Sequence, residues 1–181
     1  MLFRSHIRWV FFELVAKYID KSRFAIDYVI LNEDDPIISF LNELNISYTV
    51  TSYRDYSNTP EVVKFIYEHL IKNKTDIVQT HWFAGSLAGM QAAYYAHVPV
   101  RIFYREHPSI KYYTRHAPSK HRLIWDCATN IIGASNSCKH GMIEDGVPEH
   151  KITLLPLGFD INEFENVDYF RIEKLRSKYL P

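Results

Sequence analysis

The sequence predicts an α/β protein with a doubly wound, Rossmann-like parallel sheet and helices on both faces of that sheet. Short β-rich runs alternate with helical runs along the chain, and this alternation is typical of parallel sheets. Two of the helical runs open with proline, which favours the first turn of a helix. The chain has 181 residues, 47% of them hydrophobic, so it is long enough to bury a core.

The predicted elements follow one another in a regular order. The first is a helix with apolar positions on one face, at Ile7, Val10, Phe11, Leu14 and Tyr18. Strands are predicted in FAIDYVIL, SYTVTSY, DIVQT, VPVRIFY, IIGAS and ITLLP. Helices are predicted between them in PIISFLNEL, PEVVKFIYEHLIKN and GSLAGMQAAYYAH, then after IIGAS, and finally in RIEKLRSKYLP.

The N-terminal helix is not predicted to be a signal peptide. Glu13 and Lys17 interrupt its apolar run, and no small-residue cleavage site follows. We expect a cytoplasmic protein in which this helix packs on the sheet. The alternative is peripheral docking of the helix at the inner face of the membrane.

The composition argues against several classes of function. The 21 basic residues equal the 21 acidic residues, whereas a nucleic-acid partner would require a basic surplus. The only cysteines, Cys127 and Cys138, have no spacing pattern for a disulfide framework or a zinc site. We expect no metal ion, no cofactor and no nucleic-acid partner.

The usual opening of a doubly wound fold is not found in this sequence. Such domains commonly begin with a strand and a glycine-rich turn. Here a helix is predicted within a few residues of Met1, no glycine precedes Gly85, and G-x-G-x-x-G does not occur. Either the fold lacks its first strand, or that strand lies upstream of Met1.

Polar and aromatic residues follow several predicted strands. In open parallel sheets, ligands bind beyond the carboxyl ends of the strands. The residues at those ends indicate a cleft for a polar, hydroxyl-rich ligand. They are Asn32, Glu33, Tyr53, Arg54, His81, Trp82, Arg105, Glu106, His107, Ser135 and the run from Pro156 to Asp160.

Two long stretches resemble family 4 glycosyltransferases, which have the two-domain GT-B fold. The first stretch is DIVQTHWFAGSLAGMQAAYYAHVPVRIFYREH. It resembles a part of their N-terminal domain in which a strand is followed by a helix of small residues, a Val-Pro turn and a strand that ends in His. The second stretch is IIGASNSCKHGMIEDGVPEHKITLLPLGFDINEF. It resembles the family's succession of a strand followed by Ser, a helix, Gly-Val-Pro, Lys-Ile and finally Pro-x-Gly-x-Asp-x-x-x-Phe. The motifs cover residues 76–164, and the earlier part matches only in the order of its elements.

The resemblance implies hexosyl-type transfer from a nucleotide-sugar donor to a glycan, glycolipid or small-molecule acceptor, as in polysaccharide biosynthesis. Residues 1–164 would form the N-terminal, acceptor-side domain. Residues 165–181 would be the crossover into a C-terminal donor-binding domain that the sequence does not contain. This chain alone would then be inactive, and the nucleotide sugar would be a substrate and not a cofactor.

The resemblance also implies roles for single residues. His107 matches the family's strand-end histidine and would be catalytic, near the donor sugar and the attacking hydroxyl; a purely structural strand-end histidine is the alternative. His81, Trp82 and Gly85 would bind the acceptor, helped by free N–H groups at a helix start. His81 could equally cap its strand while Trp82 packs.

Glu106 and Arg122 are further acceptor-binding candidates. Glu106 could accept hydrogen bonds from acceptor hydroxyls or orient an imidazole, and strand alternation indicates that it points away from His107. Arg122, in a basic stretch predicted to be a solvated helix face, could reach an acidic or phosphorylated acceptor.

The segment ITLLPLGFDINEF matches the family's interdomain joint. Gly158 is expected to allow a close approach or a positive φ, and Asp160 to cap the following turn. Phe164 would fix the crossover against the domain.

Two other functions fit the residues. The chain could be a non-catalytic subunit that pairs with a separate donor-domain chain. It could also be half of a nucleotide-sugar epimerase with the same fold.

Overall fold

A computed structural model of the chain describes residues 10–33, 35–53, 59–108, 118–162 and 168–180. The strands are β1 (Asp27–Ile30), β2 (Ser47–Val50), β3 (Ile77–His81), β4 (Val100–Arg105), β5 (Asn130–Gly133) and β6 (Ile152–Leu154). The helices are α1 (Val10–Tyr18), α2 (Ile37–Glu43), α3 (Thr59–Asn73), α4 (Phe83–Tyr95), α5 (Pro118–Cys127), α6 (Asn136–Glu144) and α7 (Tyr169–Tyr179), with a 3-10 turn at Glu149–Lys151. The predicted alternation of strands and helices is confirmed.

All strand pairs in the described residues are parallel, as predicted. The strands form two sheets, however: β1 pairs with β2, and β3, β4, β5 and β6 form a four-stranded sheet in that order. The sequence predicted one continuous sheet. Periodicity identifies strands but does not show which of them are neighbours.

Helices lie on both faces, as expected for a doubly wound fold. On one face, side chains of α4, α5 and α6 share a core with the four-stranded sheet that includes Leu87, Ile124, Met142, Phe103 and Ile131. On the opposite face, α1 and α2 cover β1 through a cluster that includes Ala16, Leu41 and Ile30. Successive residues of β1 alternate between the two faces, because Val29 packs with the α3–α4 cluster instead.

The chain that follows β6 crosses toward α1. The Tyr104 hydroxyl donates to the Leu155 carbonyl oxygen at 2.9 Å. Gly158 then lies beside Leu14, and a Cβ added to Gly158 would meet the Leu14 Cδ1 at 3.9 Å, an ordinary contact. Among the described residues nothing approaches Gly158 closely, and its φ is not positive, so the expected positive φ was wrong. The hinge role of Gly158 between two domains stays a prediction.

Asp160 ties this crossover to α1. Its Oδ2 accepts hydrogen bonds from the Lys17 Nζ at 2.9 Å and from the Tyr18 hydroxyl at 2.7 Å. Its Oδ1 accepts from the Asn162 backbone N–H at 3.2 Å, which confirms the predicted cap of the following turn. The bond from Lys17, with that from Tyr18, lowers the pKa of the Asp160 carboxyl from 3.8 to about 2.

The last helix stands apart from the core. Asp168 caps α7 by accepting from the Arg171 backbone N–H at 3.0 Å, and no residue of α7 is buried. Phe164, predicted to fix the crossover, lies outside the described residues. In the part of the chain that the structure describes, no helix is long and apolar enough to cross a bilayer.

We expect Asp160→Asn to destabilise the protein at neutral pH and to have little effect near pH 2. A carboxyl with a lowered folded pKa stabilises the fold above its unfolded pKa, and that stabilisation is lost as the pH falls through the folded value. The difference in the free energy of unfolding should therefore shrink between about pH 4 and about pH 2. Urea denaturation across this range measures it.

The matched control is Glu173→Gln, which removes an exposed ion pair with Arg176 on α7. This substitution should have almost no effect at any pH, because exposed ion pairs contribute little. A pH-independent deficit in Asp160→Asn would show that the lost contact is not electrostatic.

Candidate functional site at the strand ends

The ends of β3 and β4 bring together most of the predicted site residues. His81 ends β3 and lies opposite Tyr104 in the parallel register. The two rings stack, with their centroids 5.1 Å apart. Because parallel strands end at the same edge of the sheet, Trp82 and Glu106, which follow these strands, come within reach of each other.

Glu106 connects the two strand ends. Its Oε1 lies 3.1 Å from the His81 Nδ1, and its Oε2 accepts from the Trp82 indole N–H at 2.8 Å. The Gln79 side-chain Nε2 lies 2.9 Å from the His81 Nε2. If the Gln79 amide donates there, His81 is neutral with its proton on Nδ1, and it donates to Glu106. Of the two roles expected for Glu106, the contact with an imidazole is thus present.

Two phenylalanines of α1 cover His81. The ring centroids of Phe11 and Phe12 lie 4.9 Å and 4.5 Å from that of the imidazole. The His81 side chain is consequently 6% exposed, whereas that of Glu106 is 19% exposed. Glu106 is therefore the more accessible group of the pair. The sequence did not predict this cover, because helical periodicity does not identify the partner of an aromatic face.

Trp82 has an unusual backbone conformation, with φ of 50° and ψ of 175°. A bulky residue in this region costs on the order of 1–3 kcal/mol and must be held by its surroundings. The bond from the Trp82 indole to Glu106 provides one such restraint. Strained residues of this kind concentrate at functional sites, so the conformation of Trp82 supports a site at this edge.

Gly85 lies in the first turn of α4, as predicted, and a Cβ there would meet only the Leu31 Cδ1 at 3.9 Å. The Arg122 side chain is 77% exposed and pairs with Asp126 along α5 at 3.3 Å. Its role in binding the acceptor stays a prediction. The predicted solvated face of α5 is confirmed.

The loop that carries His107 is bound by a buried arginine. The Arg105 Nε donates to the His107 carbonyl oxygen at 2.8 Å, and its guanidinium forms an ion pair with Asp145 at 2.6 Å. Arg105 is only 6% exposed. The Cys138 thiol donates to the Glu106 carbonyl oxygen at 3.1 Å. His107 thus follows Glu106 on a backbone that the arginine and α6 hold in place.

Gly141 of α6 is the position where this loop approaches another backbone. A Cβ added to Gly141 would lie 1.3 Å from the Pro108 carbonyl oxygen. The sequence pattern did not identify Arg105, Asp145 or Gly141 as supports of the site. Two of these residues had a signal in the sequence: Arg105 ends an apolar strand, and Gly141 lies within a helix.

No metal site is apparent near these residues. Within the described ranges, no three His, Cys, Asp or Glu side chains are grouped so that they could hold an ion. A small cavity adjoins the cluster and is lined mainly by aromatic side chains, including Trp82, Phe103, Tyr104 and Trp125. An apolar, largely aromatic pocket with a few polar groups is typical of ligand sites.

We expect Gly141→Ala to destabilise the protein by about 3 kcal/mol or more, because the loop at Pro108 would have to move. The matched control is Gly85→Ala, also in a helix, where a methyl group has room. It should be neutral or stabilising by about 0.5–1 kcal/mol, because alanine favours the helix. Urea denaturation of both variants tests the pair, and similar effects would contradict the close approach at Gly141.

Comparison with known proteins identifies the family of this chain and its fold. The sequence model described as Glycosyltransferase Family 4 matches residues 10–163, and no curated protein sequence matches significantly. HepE from Anabaena, solved with UDP, is 17% identical, with a TM-score of 0.64 over 92% of this chain and 44% of its own. A glycosyltransferase from Rickettsia africae ESF-5 is 19% identical, with a TM-score of 0.66 over 93% and 44%.

UDP-GlcNAc 2-epimerase from Methanocaldococcus jannaschii is also similar, with 20% identity and a TM-score of 0.52 over 80% of this chain and 40% of its own. The chain thus spans less than half the length of these solved structures. At such identities the similarity shows the fold, which is the Rossmann-like half of a GT-B protein. Because the family match extends over most of the sequence, the chain belongs to glycosyltransferase family 4.

Proposed function

We propose that this chain is the acceptor-side half of an enzyme that transfers a hexosyl group from a nucleotide sugar to a glycan, glycolipid or small-molecule acceptor. The observation that carries the proposal is the Glu106 carboxylate, held between His81 and Trp82 at the carboxyl ends of parallel strands. His107 is the next residue in the chain.

The cluster has the chemistry that an acceptor requires. A carboxylate that is held in place can accept hydrogen bonds from sugar hydroxyls, and the Trp82 ring offers an apolar face beside it. In transfer, an acceptor hydroxyl attacks the anomeric carbon and the nucleoside diphosphate leaves. We assign His107 to the proton or hydrogen bond of the attacking hydroxyl, since imidazole serves both roles near neutral pH.

The donor phosphates require a second domain. HepE was solved with UDP, and this chain spans 44% of that protein's length. The crossover carries exposed apolar side chains, with Phe159 at 66% and Ile161 at 73% exposure. We propose that these side chains and α7 contact the donor-binding domain, either in the same polypeptide or in a separate chain.

A second candidate is half of a nucleotide-sugar epimerase, favoured by the structural similarity to the Methanocaldococcus enzyme. The two functions differ in the need for an acceptor. Incubation of the two-domain protein with a radiolabelled nucleotide sugar distinguishes them. Epimerisation would proceed without an acceptor, whereas glycosyl transfer would require one.

We expect the chain by itself to show no micromolar affinity for UDP or UDP-glucose in isothermal titration calorimetry. It provides only one side of the cleft, so the diphosphate would lack its main partners. The two-domain protein, titrated under the same conditions, is the positive control. Micromolar binding to this chain alone would place the donor site in this half and contradict the proposal.

We expect His107→Ala in the two-domain protein to reduce transfer by about 100-fold or more, the usual contribution of a positioned acid or base. Circular dichroism and the melting temperature should be unchanged. His150→Ala, at an exposed position in the turn before β6, is the control and should retain normal turnover. Full activity in the His107 variant would exclude this residue from the chemistry.

A further inference from the structure

The imidazole of His81 lies between two partners with opposite hydrogen-bonding needs. Among the described residues, its Nε2 faces the side-chain nitrogen of Gln79 at 2.9 Å, and its Nδ1 faces the Glu106 Oε1 at 3.1 Å. An amide NH₂ group can only donate a hydrogen bond, and an ionised carboxylate can only accept one. In this arrangement the Nε2 atom accepts, the Nδ1 atom donates, and the neutral ring carries its proton on Nδ1.

This tautomer has to be imposed on the ring by its partners. A histidine side chain in water carries its proton mostly on Nε2, and in a protein the hydrogen bond at one nitrogen decides the state of the other. With the proton on Nε2, the lone pair of Nδ1 would face the Glu106 carboxylate oxygen and repel it. Gln79 therefore decides whether His81 can donate to Glu106.

The packing of the ring does not decide this. Tyr104 stacks on the imidazole, and Phe11 and Phe12 cover it, so its neighbours fix the plane of the ring. Apolar and stacking contacts do not distinguish one ring nitrogen from the other, whereas a hydrogen-bond donor does. Gln79 is exposed on β3, two residues before the buried His81. A substitution at Gln79 can thus change the tautomer without removing a buried side chain.

The state of His81 determines what Glu106 offers to a ligand. The Trp82 indole N–H donates to the second carboxylate oxygen of Glu106 at 2.8 Å, so each oxygen receives one hydrogen bond from the protein. A carboxylate has about four lone-pair positions, so about two remain. A group in this state binds hydroxyl or ammonium protons. It cannot bind carbonyl, carboxylate or phosphate oxygens, because these bring no proton.

We propose that Gln79 is a positioning residue of the site. By donating to the Nε2 of His81 it keeps the ring proton on Nδ1, and through that proton it holds Glu106 as a hydrogen-bond acceptor for proton-bearing groups of a ligand, such as adjacent sugar hydroxyls. The identification of this ligand as the acceptor sugar rests on the proposed function, whereas the chain of hydrogen bonds does not.

NMR spectroscopy of the ¹⁵N-labelled chain tests the proposal, because the chemical shift of a ring nitrogen shows whether it carries a proton. We expect the wild-type protein at neutral pH to have a protonated Nδ1 and an unprotonated Nε2 in His81. Gln79→Lys, which can only donate, should keep this pattern. Gln79→Glu, which can only accept, should bring a proton to Nε2. Gln79→Met can do neither and should shift the Nε2 signal toward the protonated value.

The indole N–H of Trp82 gives a second readout, since it reports on the carboxylate that accepts from it. Its exchange with water should become about threefold faster or more in Gln79→Met, where Glu106 loses the donor that holds its other oxygen. Gln79→Lys should leave this exchange unchanged. The matched control is Gln91→Met, which removes an amide that donates to the Leu87 carbonyl oxygen within α4. It should change neither His81 nor Trp82.

A proton on Nε2 of His81 in the wild-type chain, or identical ring signals in the Lys and Glu variants, would overturn the proposal. Unchanged exchange of the Trp82 indole in Gln79→Met would also overturn it, because Glu106 would then be held without the ring. No sugar or nucleotide is added in these measurements. Their failure would leave the proposed transfer activity standing, and a failure to detect transfer would not alter their result.

Discussion

The candidate site depends on the parallel pairing of β3 with β4. This pairing sets His81 opposite Tyr104 and lets the residues that follow each strand meet. Glu106 then accepts from Trp82, whose backbone is strained, and contacts the imidazole of His81. A slip of one residue in the register would turn every side chain to the other face and separate these groups.

The sequence was informative where local patterns decide the outcome. Strand and helix positions, the polar strand ends and the cap at Asp160 all follow from short-range rules. The support of the site does not, because Arg105 meets Asp145 and Lys17 meets Asp160 only after the chain has folded. Spacing along the chain contains no information about such pairs.

The glycines illustrate the same limit of sequence reasoning. Gly158 was expected to allow a close approach or a positive φ because it lies in a motif, yet its surroundings among the described residues would accept a Cβ. Gly141 was not singled out, yet the Pro108 carbonyl oxygen occupies the place of its Cβ. A motif shows that a residue type recurs, whereas the need for glycine depends on the backbone that passes it in three dimensions.

The two ends of α1 touch different parts of the molecule. One end covers His81 with Phe11 and Phe12, and the other holds Asp160 through Lys17 and Tyr18. A helix is stiff along its axis, and α1 is only about 13 Å long. A shift of the crossover at Asp160 would therefore also move Phe11 and Phe12, so the exposure of the His81 imidazole would change with the position of the joint.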